Sequence, residues 1–499
     1  MRLAELVSFL PAARILGDPQ TIITGITADS RLIQPGWLYI AVVGLQSDGH
    51  SYIGKAQDRG AAALLTEHEV DSPLPQLITK RTQSLIGTVA SAFYGFPGEK
   101  LRVIGITGTK GKTSTSYLLD HLLCCSGKKT SILGSIGGRV AQNRLPATLT
   151  TRPAAELQEL LHQAVDAGEE YMILEVGSHS LVQRRVTGVP FDSVIFTNLS
   201  HDHLDYHGTM ESYFQAKASL FAWLGCSGWG SDPVKGKKTA ILNRDDLYYQ
   251  ALVEHIAVPI LSYGLTDQAD LWASDIASYR KGTVFTVNWS GDSTRAYLPL
   301  VGRFSVVNTL GALACGLIEG LSLNQMITDL SSFQGTPGRF ERVDFGQPFQ
   351  IIVDYAHTED SLRQVLTVAR EMTQCRIILV FGCTGDRDRI KRPLMGALAV
   401  SLADRVILTS DDPHGEDPQE IIDEIARGIP LGMKNWSMQP DRGAAIEEAL
   451  NLAKEGDLVL LAGKGHETVQ VFKDYSIPFS DQATAAAILM KKGYRRIEA

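Results

Sequence analysis

The chain has 499 residues, 44% of them hydrophobic and 20% charged, with a formal net charge of −8. That length exceeds what one hydrophobic core organises and predicts several domains. The acidic balance argues against a nucleic-acid surface, and no apolar run approaches the roughly 20 residues needed to span a bilayer.

The start, Met1-Arg2-Leu3-Ala4-Glu5, lacks a signal-peptide pattern. Six cysteines show no C-x-x-C spacing, which suits reduced thiols in a cytoplasm. Residues 1–98 carry short β-like runs at 24–30, 37–43 and 61–65, closed by the break Phe96-Pro97-Gly98. Residues 99–335 alternate strands, at 103–106, 171–176, 193–196 and 239–242, with helical stretches. Such alternation predicts a parallel sheet wrapped by helices, with ligands at the carboxyl ends of its strands. A β-rich stretch at 271–300 reads as an antiparallel edge, and Gln334-Gly335-Thr336-Pro337-Gly338 marks the next boundary. Residues 336–499 form a further α/β section with apolar strands at 350–354, 377–382, 406–409 and 458–462. Basic runs at 128–129 and 235–238 read as solvated loops.

The most informative stretch is Ile104-Gly105-Ile106-Thr107-Gly108-Thr109-Lys110-Gly111-Lys112-Thr113-Ser114. A buried strand runs into a glycine-broken turn, and 115–123 reads as a helix. Strand, Gly-rich loop, Lys-Thr and helix make a phosphate cradle. Backbone N–H groups there point at phosphate oxygens, Lys112 adds charge, and the Thr113 hydroxyl suits a magnesium ion. Ile106 stands where the longer form of this loop has its first glycine, so the pattern is the short variant G-T-x-G-K-T.

Glu175 ends the apolar run 172–174, and Asp202-His203 follow 197–200. A carboxylate and an imidazole at strand ends beside a phosphate loop suit magnesium or phosphate; they suit polar loop residues equally. The run His201-Asp202-His203-Leu204-Asp205-Tyr206-His207 has the composition of a zinc site, but no nearby cysteine completes a ligand set. Spacing alone reads Lys217 as a solvated lysine on a helix whose Tyr213, Leu220 and Phe221 face inward.

These segments resemble the Mur ligase family, nearest to its third amino-acid-adding members. The resemblance rests on Gly108-Thr109-Lys110-Gly111-Lys112-Thr113, Glu175-Val176-Gly177-Ser178-His179, 197–205 and Tyr213-x-x-x-Lys217. It extends to Asp29-Ser30-Arg31 and 44–49 in the first section. In the third section it takes in 353–358, 381–388, 391–393 and Gly463-Lys464-Gly465-His466-Glu467. The implied fold is a three-domain α/β architecture: a UDP-binding domain (1–98), a central phosphate-loop ATPase domain (99–335) and a Rossmann-like amino-acid-binding domain (336–499). The implied reaction is ATP-dependent amide bond formation in peptidoglycan precursor synthesis. The γ-carboxylate of D-Glu in UDP-MurNAc-L-Ala-D-Glu becomes an acyl phosphate, which the amine of a free diamino acid attacks. Mg2+ and ATP are required, and the expected enzyme is a cytoplasmic monomer. A folylpolyglutamate synthetase, or a nucleotide-binding scaffold without chemistry, are the rival readings; Asp29-Ser30-Arg31 speaks against the first.

The resemblance also implies roles. It assigns Gly108, Thr109, Lys110, Gly111, Lys112, Thr113, Ser114, Asn308, Arg339, Asp354 and His357 to the nucleotide. It assigns Thr113, Glu175, His203 and Lys217 to metal, with Lys217 carrying a carbamate, and Lys112, Glu175, His203 and Lys217 to catalysis. Ser30, Gln46, Thr150, Thr151, Ser178, Gln183 and Arg185 would bind the UDP-MurNAc-dipeptide. Arg387, Asp411, Asp412, His414, Gly463 and Glu467 would bind the amino acid. Members that add diaminopimelate usually read Asp-Asn-Pro-Arg where this chain has Asp411-Asp412-Pro413-His414. Losing the guanidinium and gaining a carboxylate favours a cationic side chain, so L-lysine is expected ahead of meso-diaminopimelate. Other departures are Gly177, Thr384, Glu359, Leu149, Arg152 and Lys110.

Overall fold

The computed structural model describes residues 1–10, 12–44, 47–224, 238–279 and 281–495. Two compact units emerge: Met1–Ser274 with Val287–Ser293 and Val307–Asp329, and Asp275–Thr286 with Thr294–Val306 and Leu330–Ala499. Among the described residues no helix is long and apolar enough to cross a membrane.

The first unit holds two sheets. The smaller runs Arg14–Leu16, Gln76–Ile78, Ala63–Thr66, Trp37–Ile40, Gly25–Thr27, parallel except for the antiparallel pairing of Arg14–Leu16 with Gln76–Ile78. Helix Thr82–Phe93 lays Leu85, Val89 and Ala90 into the core that contains Leu38, Ile40 and Leu77. The edge strand Arg14–Leu16 and its neighbour Gln76–Ile78 were not expected, being too short to show an apolar period.

The larger sheet places Arg102–Thr107 between Ser193–Phe196 and Tyr171–Glu175. Thr239–Asn243 and Ile260–Gly264 continue it in parallel on one side, Thr130–Gly134 on the other. The strands Arg102–Thr107, Tyr171–Glu175 and Ser193–Phe196 are buried along nearly their whole length. A parallel strand covered on both faces is apolar along most of its length, which is why these strands were readable as near-continuous apolar runs. Antiparallel strands Gly137–Val140 and Asn143–Leu145 close the edge beside Thr130–Gly134. The 271–300 stretch does form strands, but the first of them, Leu271–Tyr279, enters parallel to Ile260–Gly264 through Tyr263 opposite Leu271. The residues of that stretch divide between the two units.

The second unit is built on the order Glu341–Arg342, Gln350–Asp354, Leu458–Ala462, Ile377–Phe381, Arg405–Leu408, Trp436–Met438, with every pairing parallel except the first. Helices Glu359–Met372, Lys391–Leu402 and Pro418–Ala426 pack on one face, around Leu366, Met395 and Ile422. Arg442–Leu452 and Asp481–Lys491 pack on the other, around Ile446 and Leu489. The carboxyl ends at Asp354, Phe381, Leu408 and Ala462 lead directly into the loops that carry the expected site residues.

Candidate active site

The phosphate loop takes its shape from two glycines. Gly108 has φ +149, and a Cβ there would lie 1.9 Å from the Thr197 hydroxyl. Gly111 has φ +84, and a Cβ would lie 2.3 Å from the Asn308 amide oxygen. Only glycine fits both the conformation and the space. Helix Lys112–Cys125 then starts at the loop, earlier than the expected 115, because Gly111 caps it in the left-handed region. Lys110 is tied on both backbone groups: its N–H donates to Asn198 Oδ1 at 3.0 Å, and its carbonyl accepts from Asn198 Nδ2 at 3.0 Å. Burial lowers the pKa of the Lys110 amine to about 8, against the pull of Asp202.

Two lysines converge on one carbonyl. Lys112 Nζ donates to Gly108 O and Thr109 O, each at 2.9 Å, and Lys217 Nζ donates to Gly108 O at 2.8 Å. Lys217 is 2% exposed, so the solvated reading from spacing is overturned. Its helix, Met210–Leu224, turns that side chain onto the loop, over the ring of Tyr213 at 4.7 Å. Burial, then the like charge of Lys112, holds the Lys217 pKa well below the ordinary lysine value. His203 sits in the left-handed region at φ +54, and its pKa is lowered by burial and by Lys112 and Lys217, against Asp202. Rings of His179, His203 and His207 pack edge to face, with centroids 4.8 Å apart for His179–His203 and 5.5 Å for His179–His207. Among the described residues these histidines do not bring three ligand atoms to one point, as zinc would require.

Glu175 is the junction of the site. Its Oε2 accepts from the Thr113 hydroxyl at 3.0 Å and the Ser135 hydroxyl at 3.1 Å, and its Oε1 accepts from the Ser135 N–H at 3.1 Å. Its backbone carbonyl accepts from the Thr151 hydroxyl at 2.8 Å. Thr150 Oγ1 lies 3.1 Å from Ser135 Oγ. Arg185 joins the group by donating to Thr151 O at 3.0 Å and to Gln183 Oε1, and Ser178 Oγ lies 2.9 Å from His207 Nε2. The structure therefore gathers Thr113, Glu175, Thr150, Thr151, Gln183 and Arg185 into one bonded patch. The donor set around Glu175 and Thr113 is all oxygen, which fits magnesium. A Cβ on Gly134 would fall 1.9 Å from Glu175 Oε1, so that glycine makes room for the carboxylate.

Ser30 is buried just beyond the end of Gly25–Thr27, on the smaller sheet. Among the described residues no hydrogen bond links it to the Glu175 patch. Gln46, like residues 235–237 of the second basic run, lies outside the described residues. Ser114 lies in the first turn of helix Lys112–Cys125.

In the second unit the expected nucleotide and amino-acid residues meet at Tyr355. Arg339 stacks on its ring at 4.7 Å, His357 Nδ1 is 2.8 Å from its carbonyl, and the His466 ring is 5.1 Å away. Asp354 Oδ2 accepts from Phe340 N at 2.7 Å; burial raises its pKa against the nearby Arg339. Lys464, fully buried, donates to Asp412 Oδ1 at 2.8 Å and to Glu467 Oε2 at 2.9 Å, and lies 3.6 Å from Asp411 Oδ1. Burial opposes the Lys464 charge, yet Asp411, Glu467 and Asp412 outweigh it and raise its pKa. Burial pushes Glu467 up to about 7, against Lys464 and with help from Asp411 and Asp412. Gly463 has φ +112, and a Cβ there would lie 3.0 Å from Asp411 Oδ2. Arg387 is exposed, on a loop pinned to the 411–416 loop. Asp386 N donates to Glu416 Oε1 at 2.6 Å, and Gly415 N donates to Asp386 Oδ2 at 2.9 Å. His414 is half-buried with φ +48 and donates its N–H to Val471 O at 3.1 Å. Among the described residues, the buried atoms Arg339 Nε, Asp411 Oδ1 and His466 Nδ1 have no hydrogen-bond partner, although Asp411 Oδ1 lies 3.6 Å from the Lys464 ammonium.

Sequence reasoning passed over Ser135, His207, Tyr355, Lys464 and His466 as site residues. Lys464 and His466 stand inside a quoted motif, so position alone could have raised them. Ser135 carries no signal beyond following the strand Thr130–Gly134.

Comparison with known proteins agrees with this layout. Residues 22–92 match the model of the Mur ligase family catalytic domain, 106–316 the Mur ligase middle domain and 338–465 the Mur ligase glutamate ligase domain. The chain belongs to the Mur ligase family. It is 41% identical over 502 residues, covering all of both chains, to the UDP-N-acetylmuramoyl-L-alanyl-D-glutamate–2,6-diaminopimelate ligase of Solibacter usitatus. It is 40% identical to the ligase of the same description from Geobacillus thermodenitrificans, across 99% of this chain and 100% of the relative. A solved structure of a ligase so described superposes with a TM-score of 0.70 at 29% identity, covering 99% of each chain. These relatives span all three sections, including the first, which a folylpolyglutamate reading left unexplained.

Proposed function

We propose that the chain is an ADP-forming ligase that joins a diamino acid to the D-Glu γ-carboxylate of UDP-MurNAc-L-Ala-D-Glu. The observation that carries this reading is the double use of Glu175. Its carboxylate takes the hydroxyl of Thr113 from the phosphate loop, and its carbonyl takes the hydroxyl of Thr151 from the acceptor loop. One residue thus sets the phosphoryl donor against the acceptor acid, the proximity a phosphoryl transfer needs.

The chain's residues have distinct tasks. Backbone N–H groups of 108–113 cradle the phosphates, and Lys112 exchanges its loop carbonyls for phosphate oxygens when nucleotide binds. Arg185 clamps a carboxylate of the dipeptide from its seat beside Thr151. Thr113 and Glu175 would hold a magnesium ion, which when bound neutralises charge on the transferring phosphoryl group. Lys217, its cationic form disfavoured by burial, presents the neutral amine that reacts with carbon dioxide. The carbamate, formed as the nitrogen bonds the carbon of carbon dioxide and gives up one proton, would supply the oxygen ligands for a metal that an amine lacks, with His203 beside it. In the second unit Arg339, Asp354 and His357 serve the nucleotide, while Arg387, Asp411, Gly463 and Glu467 hold the incoming amino acid. We place the domain divisions near residues 98 and 335, and the enzyme in the cytoplasm as a monomer.

The added amino acid is best read as 2,6-diaminopimelate. Relatives at 40 and 41% identity carry that name. The structure also removes one premise for lysine. Asp412 is 8% exposed, and its Oδ1 accepts from Lys464 Nζ and from Val471 N at 2.9 Å, so its charge is directed into an ion cluster within the protein. His414 remains as the departure that favours lysine. Phosphate release with ATP, Mg2+, UDP-MurNAc-dipeptide and a panel of lysine, ornithine and diaminopimelate decides both matters. Release that ignores either the dipeptide or the amino acid overturns the ligase reading, and a clear preference for lysine overturns the assignment of diaminopimelate.

A further inference from the structure

Ser135 touches both halves of the Glu175 patch. Its hydroxyl is 3.1 Å from Glu175 Oε2 and 3.1 Å from Thr150 Oγ1, while its N–H fixes Glu175 Oε1. A serine hydroxyl has a single proton. A carboxylate takes that proton in preference to a neutral hydroxyl, because a charge-assisted bond is the stronger. With Ser135 donating to Glu175, the short contact to Thr150 requires Thr150 to donate to Ser135. The Thr150 proton is then committed inward, and only acceptor lone pairs face the acceptor pocket. A divalent cation on Glu175 weakens the carboxylate's claim on the Ser135 proton. Ser135 can then donate to Thr150, which turns the Thr150 O–H outward toward an anionic or carbonyl substrate group.

We infer that Ser135 is a positioning residue that couples occupancy of the nucleotide–metal loop to acceptor binding at Thr150, through reorientation of two hydroxyl protons. This rests on the reading of Glu175 and Thr150 given above. The coupling is reciprocal: each ligand must tighten the other by the same factor. The worth of one net hydrogen bond sets that factor at about three- to tenfold.

The test measures the dissociation constant of Mn2+·ADP by electron paramagnetic resonance, with and without saturating UDP-MurNAc-dipeptide. The parent should bind about three- to tenfold tighter with the dipeptide. Ser135→Ala should bring that ratio to one, and Ser135→Thr, which keeps the hydroxyl, should restore it. Thr150→Val breaks the same link from the other side and serves if Ser135→Ala does not fold. A ratio near one in the parent, or an unchanged ratio in Ser135→Ala or Thr150→Val, overturns the coupling while leaving the ligase reading intact. Absence of any Mn2+·ADP binding by the parent instead removes the ligase reading itself.

Discussion

Gly134→Ala is the sharpest probe of the Glu175 junction. Gly134 has no left-handed requirement, so the backbone accepts alanine; only the added methyl matters. That methyl would lie 1.9 Å from Glu175 Oε1, 2.5 Å from Cδ and 2.9 Å from Cγ. Reaching an ordinary contact of about 3.4 Å requires the carboxylate or the strand to shift by about 1.5 Å. A shift of that size breaks at least one of the bonds Glu175 receives from Ser135 N, Ser135 Oγ and Thr113 Oγ1. Each is a hydrogen bond to a charged group, worth about 1.5–3 kcal/mol, and that is the least stability the substitution is expected to cost. The same shift moves Glu175 away from Thr113, and misplacement by about 1 Å costs on the order of 100-fold in rate. Urea unfolding gives the stability term. Initial rates of phosphate release across a magnesium titration give the catalytic one, with the magnesium requirement rising as kcat falls. A variant with kcat within about threefold of the parent and an unchanged magnesium midpoint would show that Glu175 does not organise the site.

Lys112→Ala removes the phosphate-loop cation and should lower kcat by at least about 100-fold with the fold intact by circular dichroism; near-normal turnover would refute the loop assignment. Lys217→Met tests the buried amine through stability. The folded pKa lies below the unfolded value, so the unfolded chain binds a proton the native one lacks. Stability of the parent in carbon-dioxide-free buffer should therefore rise with pH up to the unfolded lysine value near 10.5. Lys217→Met should flatten that slope in urea midpoints, and an unflattened slope would mean the amine is not the source. Asp412→Asn removes one negative neighbour of Glu467 and leaves Lys464 more fully to it. Both changes favour ionised Glu467, so the acid limb of the kcat/KM profile should move to lower pH; a limb that stays put or moves up would refute the ion-pair account.

How much of this was legible in the sequence depended on burial and on chain distance. The central strands were readable because a strand covered on both faces is apolar along its middle, its polar residues falling at the ends. Arg14–Leu16 and Trp436–Met438 escaped notice because three residues at an edge carry no period. The phosphate loop was legible because its chemistry is local: two glycines, a lysine and a threonine within six residues. Lys217 was misread from spacing because it lies off the exposed stripe of the helix Met210–Leu224, which Glu211, Gln215 and Ala222 occupy, and on the face that packs inward with Tyr213 and Leu220. Ser135 was invisible because its partners, Thr150 and Glu175, are 15 and 40 residues away.

The loop at 411–414 shows why a motif read by charge alone can mislead. Asp412 in place of an asparagine suggested a site more hostile to a carboxylate. The structure instead gives that charge to Lys464, whose ammonium contacts Asp412 and Glu467 within 2.9 Å and stands 3.6 Å from Asp411. Three carboxylates around one buried ammonium leave an excess of negative charge, and the protein relieves it by raising the proton affinity of Glu467. The added aspartate thus acts on the protonation of its neighbour. An incoming amino acid that brings an ammonium group to this cluster completes the charge balance and releases the proton from Glu467. Binding should then be accompanied by proton release near neutral pH, measurable as a buffer-dependent heat in titration calorimetry.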